Sequence, residues 1–172
     1  MIKELKEGNK QFQWNVKSFS NYKKLLKDLA DNGQHPFALI ITCSDSRVVP
    51  EYIFDKPVGQ LFVIRTAGNV INDGELGTIE YAIEHLKIKT ILVLGHTNCG
   101  AVHAAVHNEK GKYLDPILSK IKLAIGDVQD ELIATDLNAT AVRDYIKSKF
   151  PEYDGIVEKA IYDIKTGKVN FK

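Results

Sequence analysis

The chain has 172 residues, 44% of them apolar and 26% charged, which is the make-up of a folded domain and excludes a disordered or low-complexity segment. Its 23 Lys and Arg nearly cancel 22 Asp and Glu, leaving +1, a balance that argues against a protein held to nucleic acid by phosphate neutralisation. No apolar run approaches the ~18 residues of a membrane span, and two cysteines are too few for a disulfide scaffold.

Met1 to Glu7 alternates charged and apolar residues, without the apolar stretch of a secretory signal. A cytoplasmic protein is expected, where Cys43 and Cys99 would bind metal, do chemistry or simply lie buried. Residues 2–12 and 20–31 read as helices; in the second, Tyr22, Leu25, Leu26 and Leu29 recur at helical spacing before the stop signal Asn32-Gly33. Short apolar runs follow at Phe37–Ile41, Leu61–Ile64 and Ile91–Leu94, suited to strands buried on both faces of a parallel sheet. Between the last two, residues 75–87 carry Leu76, Ile79, Ile83 and Leu86 on one helical stripe, completing a βαβ unit. Residues 116–150 read as two or three helices, the last capped by Asn138 and stopped by Pro151. Two β-prone stretches close the chain, Ile156–Ile161 and Val169–Phe171, with turn chemistry at 165–168 between them. No repeat or linker divides the sequence. The expectation is one α/β domain over 1–172, built on a mostly parallel sheet flanked by helices.

Two groups of residues carry chemistry. Cys43-Ser44-Asp45-Ser46-Arg47 follows the first apolar run, and His96-Thr97-Asn98-Cys99-Gly100 follows the third. Both are expected just past the carboxyl ends of strands, the edge where open α/β sheets bind ligands. Two thiolates and an imidazole make a good zinc set, leaving a fourth position for water. Asp45 is near enough to enter that position, and Arg47 is placed to hold it off with a two-point grip. A closed Cys, Asp, His, Cys site that only staples the sheet remains the alternative. Gly68, Gly74, Gly95 and Gly100 are expected to let backbone pass close to the metal or a partner.

The pattern CxDSR, then about fifty residues, then HxxC resembles the β-class carbonic anhydrases. So do Phe62–Asn69, Ile79-Glu80-Tyr81-Ala82 and Ala160–Gly167. The resemblance implies a zinc enzyme, a lyase interconverting carbon dioxide and water with bicarbonate and a proton through a zinc-bound hydroxide. It implies Cys43, His96 and Cys99 as zinc ligands, with Asp45 and Arg47 as the dyad beside the metal and Asp45 as a possible fourth ligand in a closed state. It matches Gln34, Phe62, Ala67 and Tyr81 to a narrow slot at a dimer interface, the glutamine reaching across from the other subunit. A homodimer or multiple of dimers is therefore expected. Phe12, Trp14 and Phe19 give the N-terminal helices an apolar surface suited to packing on a partner or to folding back on the same chain. His85, one helical turn after Tyr81, is the candidate proton relay. His35, His103 and His107 read as residues of the surface or of the surroundings of the site; His103 and His107 are four apart, a spacing that could suit a metal but is usually coincidence on an exposed helix. A subclass of the family binds bicarbonate at an inhibitory site that needs a tryptophan three residues before the first cysteine and a glycine just before it. Ile40 and Thr42 stand there, so no such site is expected. Two other readings share these residues: a zinc hydrolase of carbon disulfide or carbonyl sulfide, and a non-catalytic zinc protein.

Overall fold

A computed structural model of the chain describes residues 1–14 and 22–171; the Trp14 side chain and Phe19 lie outside what it describes. The elements run α1 (Ile2–Trp14), α2 (Tyr22–Asn32), β1 (Ala38–Cys43), α3 (Pro50–Ile53), β2 (Leu61–Thr66), a 3-10 turn (Ala67–Asn69), α4 (Asp73–Glu84), β3 (Thr90–His96), α5 (Gly100–Val106), α6 (Asp115–Ile125), α7 (Glu131–Lys149), β4 (Ile156–Tyr162) and β5 (Val169–Phe171).

The strands form one sheet in the order β2-β1-β3-β4-β5. The first four are parallel, and β5 returns antiparallel to β4. Every residue of β1 and β3 is buried, as two-sided burial demands of unbroken Ile, Leu and Val runs. On one face Leu39, Ile41, Ile91 and Val93 pack against α4 and α7 through Ile79, Ala82, Val142 and Ile146. On the other, Ile40, Leu92 and Leu94 meet Leu5 of α1 and Phe54. The strands run further than the apolar runs suggest, so Cys43 and His96 are the last residues of β1 and β3 rather than the first beyond them. Ladder pairing continues through polar Thr42, whose hydroxyl donates to the Leu94 carbonyl at 2.7 Å.

Asn138 does not cap a helix. Helix α7 is continuous over 19 residues, and its N-cap is Asp130, whose carboxylate accepts from the amides of Leu132 and Ile133. Asn138 sits buried in mid-helix and donates to the Gly68 carbonyl at 2.9 Å. Helix α4 begins two residues before the expected start, because Asn72 and Glu75 form a capping box.

Helix α1 packs on its own chain. Leu5 is fully buried, Asn9 donates to the carbonyls of Ile53 and Gly167, and Phe12 packs on the same core. Helix α2 buries no residue. Tyr22 and Leu26 on its apolar stripe are exposed, so it is the N-terminal helix with a free apolar face. Of the four glycines near the site, Gly68 alone adopts positive φ, at 61°. A Cβ on Gly95 would lie 2.9 Å from Ile161 Cδ1 and 3.4 Å from Ala139 and Thr135 of α7, so that glycine lets α7 pack closely on the sheet. Gly74 and Gly100 face open space.

Candidate metal centre

Strands β1 and β3 are parallel neighbours, so their carboxyl ends open side by side. That places Cys43 beside His96. The chain then turns through Thr97 and Asn98, where φ is +55° at Asn98, and Cys99 becomes the N-cap of α5. One donor atom from each of Cys43, His96 and Cys99 lies within 4.8 Å of the other two, and all three residues are buried.

The sulfurs of Cys43 and Cys99 are 4.0 Å apart. Two zinc–sulfur bonds of about 2.3 Å at a tetrahedral angle need about 3.8 Å. His96 is fully buried, and its Nδ1 lies 2.9 Å from the Thr97 carbonyl oxygen. A carbonyl only accepts, so Nδ1 carries the proton and Nε2 offers a lone pair. That Nε2 is buried with no hydrogen-bond partner, a costly arrangement unless a cation takes the lone pair. Two buried thiols this close titrate as a pair. The hydrogen bond from Cys99 is the main cause holding Cys43 below the ordinary thiol range, while that same bond and burial push Cys99 up. A divalent cation replaces the shared proton and lets both sulfurs carry charge. Three soft-to-borderline donors in this geometry fit zinc.

Asp45 lies two residues beyond Cys43, and its carboxylate is held by Arg47. Oδ1 accepts from the Arg47 backbone amide and from Nε, both at 2.9 Å, and Oδ2 accepts from Nη2 at 2.7 Å. This grip holds the Asp45 carboxyl well below the usual carboxylate range, the Arg47 side-chain bonds being the largest cause. Arg47 also donates to the Asn98 carbonyl at 3.2 Å, which links the two ligand-bearing turns.

Sequence reading missed Arg65. It lies on edge strand β2 and donates to the carbonyls of Asp45 at 2.7 Å and Cys43 at 3.3 Å. Its signal is weak: an arginine in an apolar strand, at the end nearest the site. The Gly68 amide, 3.4 Å from the Cys43 sulfur, was equally hidden, because it depends on the turn after β2.

The remaining candidates divide. Phe62 and Tyr81 lie together with ring centroids 6.1 Å apart, and His85 stacks on Tyr81 at 5.0 Å. Ala67 opens the turn directly after β2. Gln34 is exposed in the α2–β1 connection. An apolar cavity of about 360 Å³, lined by Val70, Ile71, Leu123, Val142 and Tyr145, lies between α6 and α7, and none of the three donors lines it.

The carbonic anhydrase family profile matches residues 38–150, which contain all three donors. Carbonic anhydrase 2 of Mycobacterium tuberculosis strain H37Rv is 46% identical over 104 residues, covering 60% of this chain and 50% of that protein. The carbonic anhydrase of Helicobacter pylori strain J99 is 33% identical over 136 residues, covering 73% of this chain and 60% of that one. The chain thus spans about half to three-fifths of these curated relatives. Among solved structures, the β-carbonic anhydrase CcaA superposes with a TM-score of 0.76 at 31% identity, over 98% of this chain and 86% of that one. A tetrameric β-carbonic anhydrase of Sordaria macrospora superposes with a TM-score of 0.73 at 27% identity, over 87% of this chain and 86% of that one. Matches that run through both ligand turns and across the sheet that brings them together make the chain a member of the β-carbonic anhydrase family.

Proposed function

We propose that this chain catalyses the reversible hydration of carbon dioxide to bicarbonate, with zinc held by Cys43, His96 and Cys99. The observation that carries the reading is the pairing of a three-donor cluster with an Asp45 carboxylate whose two oxygens are both occupied by Arg47. A purely structural zinc staple has no need of that grip. Zinc in such a site supplies an activated water-derived nucleophile and charge stabilisation.

The chain's own residues do the rest. Asp45, fixed by Arg47, accepts a hydrogen bond from the attacking oxygen and so orients it. Ala67, at the carboxyl end of β2, together with Phe62 and Tyr81 brought up by a second subunit, offers an apolar wall against which a small apolar gas collects, and Gln34 of that subunit donates its amide to a substrate or product oxygen. Two thiolates place more negative charge on the centre than imidazoles would. The Arg47 guanidinium offsets part of that charge. His85, exposed and stacked on Tyr81, passes the proton to solvent.

The working unit is a homodimer or a multiple of it, with residues 1–172 acting as one domain. Strand β2 lies at the sheet edge, Tyr81 is 45% exposed and α2 leaves Tyr22 and Leu26 uncovered; together these favour a partner on this side. A reducing compartment, the cytoplasm, suits two free thiols 4.0 Å apart. No helix among the described residues is long and apolar enough to cross a membrane.

Stopped-flow hydration of carbon dioxide by the zinc-loaded chain tests the reading. The wild type turns over, Cys99→Ala loses zinc and rate, and Asp45→Ala keeps zinc and loses rate. Equal rates in wild type and Cys99→Ala would overturn it.

A further inference from the structure

Cys43, His96 and Cys99 form one of two such donor clusters among the described residues. The other is His103, His107 and Glu131, again with donor atoms within 4.8 Å of one another. It shares no residue with the first. One helical turn separates the two histidines, a spacing that by itself is common on exposed helices. The packing of α7 on α5 adds the third group: Glu131 opens α7 and brings its Oε1 to 2.7 Å from His103 Nδ1, across 28 positions of sequence.

The imidazoles are pre-oriented. His107 Nδ1 lies 2.9 Å from the His103 carbonyl oxygen, which fixes the proton on Nδ1 and leaves Nε2 as a donor. Ligating histidines commonly have their other nitrogen tied in this way. The two rings stack with centroids 4.2 Å apart, close enough for one ion to reach both. Both histidines are exposed and Glu131 is half-buried, which leaves room for ion entry and for waters to complete the coordination.

We propose that His103, His107 and Glu131 form a second metal site, selective for first-row divalent transition ions. Imidazole with carboxylate suits zinc, nickel or copper, whereas calcium and magnesium favour all-oxygen sets. The bound ion clamps α5 to the start of α7. Since α5 begins directly after Cys99, the clamp steadies the helix on which one donor of the first cluster is mounted. The site stands independently of the activity proposed above.

Equilibrium dialysis against nickel(II) of protein loaded with a single equivalent of zinc, which the Cys43, His96 and Cys99 cluster holds, followed by elemental analysis, reads both sites at once. The expected result is one nickel per chain with zinc unchanged. Nickel affinity falls at least ~10-fold in each of His103→Ala, His107→Ala and Glu131→Gln. It is unchanged in His35→Ala, which removes an exposed histidine elsewhere. Nickel raises Tm in the wild type and not in His107→Ala. The proposal is overturned by the absence of stoichiometric nickel, by uptake only at the expense of zinc, or by wild-type affinity in any of the three site variants.

Discussion

The side-chain amide of Asn138 donates to the carbonyl oxygen of Gly68 across 70 positions of sequence, and the Gly68 amide in turn meets the Cys43 sulfur. Helix α7 thereby holds the turn that cradles a metal-ligand sulfur. Asn138→Ala leaves a buried carbonyl without this donor, and the expected cost is about 1–3 kcal/mol. Denaturant unfolding measures that loss, and chelator competition on the same variant should show weaker zinc retention.

Gly68 and Gly74 respond with opposite signs to alanine. Gly68 has φ of +61°, and a Cβ there would lie 2.8 Å from Ile121 Cδ1 and 3.1 Å from Ala101 Cβ. Gly68→Ala is expected to lose about 1–2 kcal/mol from the backbone alone, with the clash adding to it. Gly74 lies in the first turn of α4 and a Cβ there meets nothing within 4 Å. Gly74→Ala is expected to gain about 0.4–1 kcal/mol. Paired thermal melts of the two variants check the contrast.

Arg47 and Arg65 hold different parts of one loop. Arg47 grips the Asp45 carboxylate, and Arg65 holds the Asp45 and Cys43 carbonyls. Arg47→Ala frees the carboxylate to swing towards the metal. Hydration is expected to fall on the order of 100-fold, with zinc retained as tightly as before. Arg65→Ala is expected to lose about 10–100-fold in rate, as supporting contacts around metal sites commonly do. Arg47→Lys should not rescue, since an ammonium lacks the planar fork. Rates and zinc content measured together separate these outcomes.

Tyr153 makes alkaline stability directional. Its hydroxyl donates to the Ile88 carbonyl at 3.2 Å, and burial, the larger cause, together with Asp154 pushes its pKa up to about 12. The unfolded phenol titrates near its usual value of about 10. The folded-state pKa is the higher one, so this contribution is fully present below pH ~10 and is lost as pH rises from there through ~12. Tyr153→Phe should cost about 1 kcal/mol at neutral pH and then lose less stability than the wild type on going to pH ~11. Urea unfolding at both pH values tests the crossing.

Much of this was legible in the chain because its signals are local. Ile91–Leu94 announces a buried strand by composition, and His96 and Cys99 declare their chemistry by type and spacing. What stayed hidden depends on residues far apart in sequence. Asn138 has the chemistry of a good helix cap, but Asp130 holds that place and Asn138 serves Gly68 instead. Arg65 shows its use only once β2 lies beside β1 in register. The pair His103 and His107 gains meaning only when α7 brings Glu131 alongside. The aromatic residues of helix α1 suit either a partner or its own chain, and the bonds of Asn9 to Ile53 and Gly167, which anchor one face of the helix on its own chain, depend on residues far along the sequence.

The central claim is that two sulfurs and one imidazole of this chain hold one zinc. X-ray absorption at the zinc edge, on protein carrying the His107→Ala change so that only the first cluster is loaded, tests it most directly. The account predicts two sulfur neighbours at about 2.3 Å and two lighter neighbours at about 2.0–2.1 Å, with both sulfurs lost in Cys43→Ala/Cys99→Ala. A zinc shell without sulfur would contradict it.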